Sequence, residues 1–103
     1  MSERYDAIVI GAGIIGAATT LGLARKGLKV LAVDKLPAAG YGSTSGSCAI
    51  IRPFYSTPDG SALAWESHFY WRDWAAFLGL EGGQDIARYV NCGCLRLKTP
   101  ANG

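Results

Sequence analysis

The chain has 103 residues, 50% of them hydrophobic and 17% charged, with a formal net charge of +2. That length allows one small domain with a modest core, and so mild a charge, with Lys and Arg in no clustered stripe, argues against a nucleic-acid partner. Apolar stretches no longer than a strand, and an opening Met1-Ser-Glu-Arg-Tyr-Asp6 without charged-then-apolar order, argue against a membrane span or secretory signal and for the cytoplasm.

The first patterned segment is Asp6-Ala-Ile-Val-Ile-Gly-Ala-Gly-Ile-Ile-Gly16, followed by Leu28-Lys-Val-Leu-Ala-Val-Asp34. The apolar spacing predicts a strand over 5–10, an Ala-rich helix over 14–26 stopped by Gly27, and a second strand over 29–33. Strand, glycine turn, helix, strand and acid in unbroken order describe a dinucleotide-binding unit. Gly11 permits the sharp exit from the first strand, Gly13 lets the backbone approach a pyrophosphate, and Gly16 lets the helix pack tightly. The phosphates then meet a helix N-terminus, where free N–H groups and the helix dipole favour negative charge. Asp34, 18 residues beyond Gly16, is placed to accept hydrogen bonds from adenosine ribose hydroxyls, and its charge disfavours a 2′-phosphate. A bare glycine triplet is common, and the alternative is a strand-turn-helix without a ligand; the flanking strands, helix and acid supply the specificity.

A doubly wound sheet needs a third parallel strand beside the first, and no second strand-helix-strand repeat follows Asp34. The expected fold is therefore an incomplete α/β, Rossmann-like unit, the front portion of something larger. Residues 36–47 form a Gly/Ser/Pro-rich loop, longer than a compact connection requires, and long ordered loops usually carry function. Ile50-Ile-Arg52 is a short apolar step into Pro53.

A helix is expected over 57–78, with Thr57 as its cap, Pro58 at the first helical position, Asp59 in the first turn and Gly79 as its stop. Leu63, Tyr70, Trp74, Phe77 and Leu78 share one face, and Trp65, Phe69 and Trp71 widen it; such a stripe reads as core-facing, with cover supplied partly by protein this chain lacks. Residues 81–84 read as a turn or linker, and 86–90 and 94–98 as strands joined through Asn91-Cys-Gly93. These strands would open an α+β substrate-side region, giving a division into a nucleotide-binding unit with its Ser-rich loop over 1–56 and a second region over 57–103. Cys48, Cys92 and Cys94 are odd in number and form no C-x-x-C pair, so free thiols are expected; no further Cys or His completes a metal set around Cys92 and Cys94. His68, the single histidine, lies mid-helix and reads as a packed or surface residue.

The glycine motif alone suits NAD or FAD. Gly42-Ser-Thr-Ser-Gly-Ser47 returns to the C-terminal edge of the sheet, where its hydroxyls and amides could reach the pyrophosphate and ribityl chain of a flavin. An NAD enzyme more usually proceeds straight into another helix. The chain resembles the FAD-dependent amine and amino-acid oxidoreductases of the D-amino-acid oxidase superfamily, most closely the sarcosine oxidase and dimethylglycine dehydrogenase branch. The likeness runs through residues 5–16, Val33-Asp34, Gly42-Ser-Thr-Ser45, Ile50-Ile-Arg52 with Tyr55, the 71–77 helix and Gly93-Cys-Leu95.

That resemblance implies FAD as cofactor, hydride transfer from a C–H bond beside an amine, and a small amine or amino-acid substrate. Carried over residue by residue, Gly11, Gly13, Ile14, Ile15 and Gly16 would hold the pyrophosphate, and Asp34 with Lys35 the adenosine end. Ser43, Thr44 and Ser45 would line the phosphate and ribityl portion, with Ile51 and Arg52 near the ring. Arg52 would act as the catalytic candidate, stabilising reduced flavin or holding a substrate carboxylate; the alternative is a surface arginine paired with an acid. The family histidine that attaches flavin covalently near this loop is replaced here by Ser and Gly, so attachment through this segment is not expected. Thr20 stands where a smaller residue is usual, and Asp34 where glutamate is usual. The competing readings are an NAD-dependent dehydrogenase fragment and a non-catalytic nucleotide-binding or interaction module, self-associating or completed by another chain. In either case the chain alone is expected to lack catalysis.

Overall fold

A computed structural model of the chain describes residues 2–81 and 85–101. It contains, in order, β1 (Ala7–Ile10), α1 (Ile14–Arg25), β2 (Val30–Val33), α2 (Pro58–Arg72) and α3 (Trp74–Leu78). Two compact units, Met1–Ala49 and Ile50–Gly103, divide the chain seven residues before the boundary read from the sequence.

In the first unit β1 and β2 pair in parallel, Ala7 opposite Val30 through Ile10 opposite Val33, with α1 as the crossover. Parallel neighbours cannot be joined by a tight turn, so the intervening helix is what brings the strands together. The strands are shorter than expected by one or two residues, yet the ladder continues past them: Asp6 N–H donates to the Lys29 carbonyl at 2.8 Å, and Gly11 N–H to the Val33 carbonyl at 2.8 Å. The Asp6 carboxylate accepts from Lys29 N–H at 2.7 Å. Helix α1 ends as Gly27 predicted: at φ 84 this residue takes the left-handed conformation, and Leu28 N–H closes on the Leu23 carbonyl at 3.3 Å while Gly27 N–H closes on that of Ala24 at 2.9 Å. The unit is thinly covered, with Ile8 at 62%, Ile10 at 86% and Ile15 at 81% exposure.

In the second unit Thr57 caps α2 as expected, its hydroxyl accepting from Gly60 N–H at 3.2 Å, with Pro58 opening the helix. The single helix expected over 57–78 is instead broken at Asp73, whose backbone (φ −111, ψ 45) leaves the helical region. Asp is a weak helix former, and the break allows Trp71 to stack on Trp74 at 4.4 Å and Trp74 on Phe77 at 5.3 Å. Gly79, φ 72, stops α3, with Leu80 N–H bonded to the Ala75 carbonyl at 2.9 Å.

The strands expected over 86–90 and 94–98 are absent. A strand needs a hydrogen-bonding neighbour and an apolar surface to cover. Here Cys92 N–H folds back on the Val90 carbonyl at 3.0 Å, and the alternating side chains lie open, Val90 at 71%, Leu95 at 87% and Leu97 at 82%. Of the expected 81–84 linker, residues 82–84 lie outside the described residues. No helix among the described residues is long and apolar enough to cross a membrane.

Candidate cofactor site

An open groove of about 630 Å³ runs along the C-terminal end of the β1–β2 pair and the start of α1. Gly11, at φ 103, turns the chain out of β1 in a conformation that a side chain rarely adopts. A Cβ on Gly16 would fall inside the Gly11 carbonyl, which is the physical reason that helix and turn can lie so close. On Gly13 a Cβ would stand 3.0 Å from the Thr44 hydroxyl. Glycine at these positions keeps the floor of the groove clear of side chains.

Helix α1 begins after Gly13, a residue with no side chain to cap it. The cap comes from 30 residues downstream: Thr44 Oγ1 accepts from Ile14 N–H at 3.0 Å. Among the described residues the amides of Ile15 and Gly16 have no protein acceptor, leaving two donors of the first helical turn open to the groove. The Ser-rich loop is anchored to the glycine turn by Gly40 N–H on the Ala12 carbonyl at 2.8 Å.

Asp34 leaves the end of β2 and reaches the same turn. Its Oδ2 accepts from Ala12 N–H at 2.6 Å and its Oδ1 from Leu36 N–H at 2.8 Å. The Ala12 and then the Leu36 hydrogen bond hold its carboxyl below the ordinary carboxylate value, partial desolvation opposes them, and Lys35 adds a smaller lowering. The group is therefore an anion at neutral pH, with lone pairs left over for further donors.

The groove brings together Gly11, Gly13, Ile14, Ile15, Gly16, Asp34, Ser43 and Thr44 from the expected set. Lys35 and Ser45 are outside its lining; the Ser45 hydroxyl and amide both bind the Gly40 carbonyl and hold the loop's turn. Gly42 and Ser47, the ends of the Ser-rich segment, also line it, as does Thr19, which the sequence reading did not single out. Ser47 belongs to the same hydroxyl tract as Thr44, and Thr19 stands one helical turn beyond Ile15, whose carbonyl its hydroxyl binds at 2.8 Å. Ile51 and Arg52 belong to the second unit, where the Arg52 guanidinium lies over the rings of Phe54 and Tyr55 at 5.4 and 5.0 Å. His68 is half-buried, stacked on Trp65 at 5.7 Å, with Nδ1 3.0 Å from the Tyr89 hydroxyl. Cys48, Cys92 and Cys94 are exposed thiols, and no metal-binding cluster occurs among the described residues.

A glycine-floored groove with open helix amides, at the C-terminal end of parallel strands, defines a dinucleotide-binding unit. The chain belongs to the FAD dependent oxidoreductase family, whose model matches residues 6–102, and FAD is that family's cofactor. It is 45% identical over 56 residues to monomeric sarcosine oxidase from a Bacillus species, covering 53% of this chain and 14% of that protein. It is 47% identical over 47 residues to protein FixC of Azorhizobium caulinodans, covering 46% of this chain and 11% of the relative. It is 68% identical over 31 residues to squalene epoxidase of Saccharomyces cerevisiae, covering 30% and 6% respectively. The chain thus matches only a small part, at most about a seventh, of each of these proteins' lengths. No solved structure matches it.

The residues present fit FAD. Gly16 has no room for a Cβ and a Cβ on Gly13 would press on the Thr44 hydroxyl, the Ile15 and Gly16 amides suit a pyrophosphate, and Ser43, Thr44 and Ser47 add hydroxyls along the same groove.

Proposed function

We propose that this chain forms the FAD-binding portion of a cytoplasmic oxidoreductase that oxidises the C–N bond of a small amine or amino acid. The observation that carries this reading is the reach of the sarcosine oxidase likeness, 53% of the chain, against 46% for FixC and 30% for squalene epoxidase. A match confined to the glycine motif would say only that a nucleotide binds; this one extends past it.

In this reading Gly11, Gly13, Ile14, Ile15 and Gly16 receive the pyrophosphate, and Asp34 with Lys35 faces the adenosine end. Ser43 and Thr44 flank the phosphates and ribityl chain, Ser45 holds their loop through the Gly40 carbonyl, and Ile51 and Arg52 are the residues assigned to the ring. Asp34 already binds two backbone amides, so ribose hydroxyls use its remaining lone pairs. Bound FAD supplies the hydride acceptor, and the chain's own residues hold and orient it. Anaerobic addition of sarcosine or a D-amino acid to the complete, FAD-loaded enzyme of which this chain forms a portion should bleach the flavin absorbance. Flavin that stays oxidised with every amine tried, yet is reduced by a substrate without a C–N bond, overturns the amine assignment. Arg52→Lys keeps the charge but loses the planar fork, so it should slow this reduction far more than it weakens FAD binding.

A further inference from the structure

We propose that Cys92 and Cys94 form a thiol–disulfide exchange site whose ligand is a small anionic disulfide. A single residue, Gly93, separates them, and both thiols are free and exposed. Neither lines the cofactor groove, and the amine reading uses neither. The backbone between them favours closure of a bond. No strand ladder holds residues 86–98, and Cys92 N–H turns back on the Val90 carbonyl at 3.0 Å. Gly93 sits at φ 74, and glycine passes between positive and negative φ without the steric cost that a side chain would impose. The Cys92 Sγ lies 3.5 Å from the Gly93 carbonyl oxygen, so this thiol is already turned toward the peptide unit that carries Cys94.

The same contact divides the roles. The Cys92 S–H is engaged with a carbonyl, which leaves Cys94 as the sulfur that attacks first and Cys92 as the one that resolves. Cys94 loses its proton to solvent and attacks one sulfur of the small disulfide; that S–S bond breaks, and the departing thiolate takes up a proton. Cys92, deprotonated in turn, attacks the Cys94 sulfur of the mixed disulfide and releases the second small thiol. The chain's two thiols are thereby oxidised to one disulfide, and one external disulfide is reduced to two thiols. A ring closed over one intervening residue departs from relaxed disulfide geometry, so the bond is readily reduced again, as suits exchange rather than a structural crosslink. The nearest charged residues within the segment are Arg88, Arg96 and Lys98, and residues 86–101 contain no acid. Such a segment draws in an anionic reagent and repels a cationic one.

The test treats the reduced, flavin-free chain with oxidised glutathione, without air and at slightly alkaline pH, then alkylates the remaining thiols and maps each cysteine by mass spectrometry. Cys92 and Cys94 should become joined about tenfold faster than Cys48 takes up glutathione. Cys48, an exposed thiol with no cysteine beside it, is the internal reference. Excess reduced glutathione should reopen the bond. Cys92→Ser should hold a lasting glutathione adduct on Cys94, whereas in Cys94→Ser the remaining Cys92 should react no faster than Cys48, both with an unchanged circular dichroism spectrum. At low salt the preference for glutathione over cystamine, a cationic disulfide, should be about tenfold greater at the pair than at Cys48, and added salt should narrow it. Separate glutathione adducts on Cys92 and Cys94, or a pair that stays reduced while Cys48 is modified, overturns the site. An equal preference at the pair and at Cys48 overturns the anionic ligand class. Because no flavin is present, the result is independent of the cofactor reading.

Discussion

Replacing a glycine of helix α1 by alanine should have unequal effects at Gly16 and Gly22. Both residues are helical, so on propensity alone each substitution is favourable by about 0.5–1 kcal/mol. At Gly22 nothing lies within 4 Å of the new Cβ, and that gain should appear in full. At Gly16 the Cβ falls inside the Gly11 carbonyl, with the carbonyl carbon 2.8 Å away and Val9 Cγ1 at 3.6 Å. The obstacle is backbone, so relief requires moving the glycine turn itself, and overpacking of this kind costs about 1–3 kcal/mol. The propensity gain is common to both, so the two variants should differ by the overpacking cost, about 1–3 kcal/mol, with Gly22→Ala above wild type and Gly16→Ala the less stable of the two. Urea unfolding followed by far-ultraviolet circular dichroism measures this directly. FAD titration by fluorescence quenching adds a second readout, because a displaced turn carries the Ile15 and Gly16 amides away from the phosphates. Equal unfolding midpoints for the two variants would refute the steric argument, and wild-type FAD affinity in Gly16→Ala would refute its extension to the cofactor.

Thr44→Val removes the hydroxyl that caps Ile14 and should cost about 1 kcal/mol, while Thr44→Ser stays within a few tenths of wild type; equal stability of the two would show that the cap contributes nothing. Asp34 has a lowered pKa, so its contribution to stability is complete above its unfolded value and is lost as pH falls through the lower folded one. Asp34→Asn should therefore flatten the dependence of Tm on pH below about pH 4, and a variant curve parallel to wild type would contradict the assignment. The chain should also self-associate, because Ile8, Ile10 and Ile15 are exposed beside a two-stranded sheet with open edges. Sedimentation velocity should show a concentration-dependent increase in mass, and a monodisperse, cooperatively melting monomer would exclude it.

The β1–α1–β2 unit was legible because its determinants are local. Apolar alternation marks each strand, and Gly11 and Gly27 both adopt the positive φ that their places in the pattern require. Thr57 and Gly79 marked the ends of the aromatic helical stretch for the same reason. Three features were not legible. The break at Asp73 depends on how Trp71, Trp74 and Phe77 stack, which is a tertiary preference that overrides helical continuity. The strands expected after residue 85 had the right alternation, but alternation cannot supply a pairing neighbour. Within the groove, the hydroxyl tract announced itself by composition, yet only the fold assigns Thr44 to the Ile14 amide and Ser45 to the Gly40 carbonyl.

The two aspartates at the ends of the sheet act as a pair. Asp6, entering β1, binds the amide of Lys29 before β2, and Asp34, leaving β2, binds the amide of Ala12 after β1. Between them lie four-residue strands made of Ala, Ile, Val and Leu, nearly interchangeable in shape and polarity. Side-chain alternation distinguishes odd slippage from even, because a shift of one residue exchanges the two faces and a shift of two restores them. The carboxylates remove the remaining ambiguity. Each residue of sliding moves a strand by about 3.3 Å, so any slip, odd or even, separates both acids from their amides at once. A foreign strand added at the edge would find the same apolar ladder but not these two reciprocal bonds, so the native alignment is selected by four atoms outside the ladder.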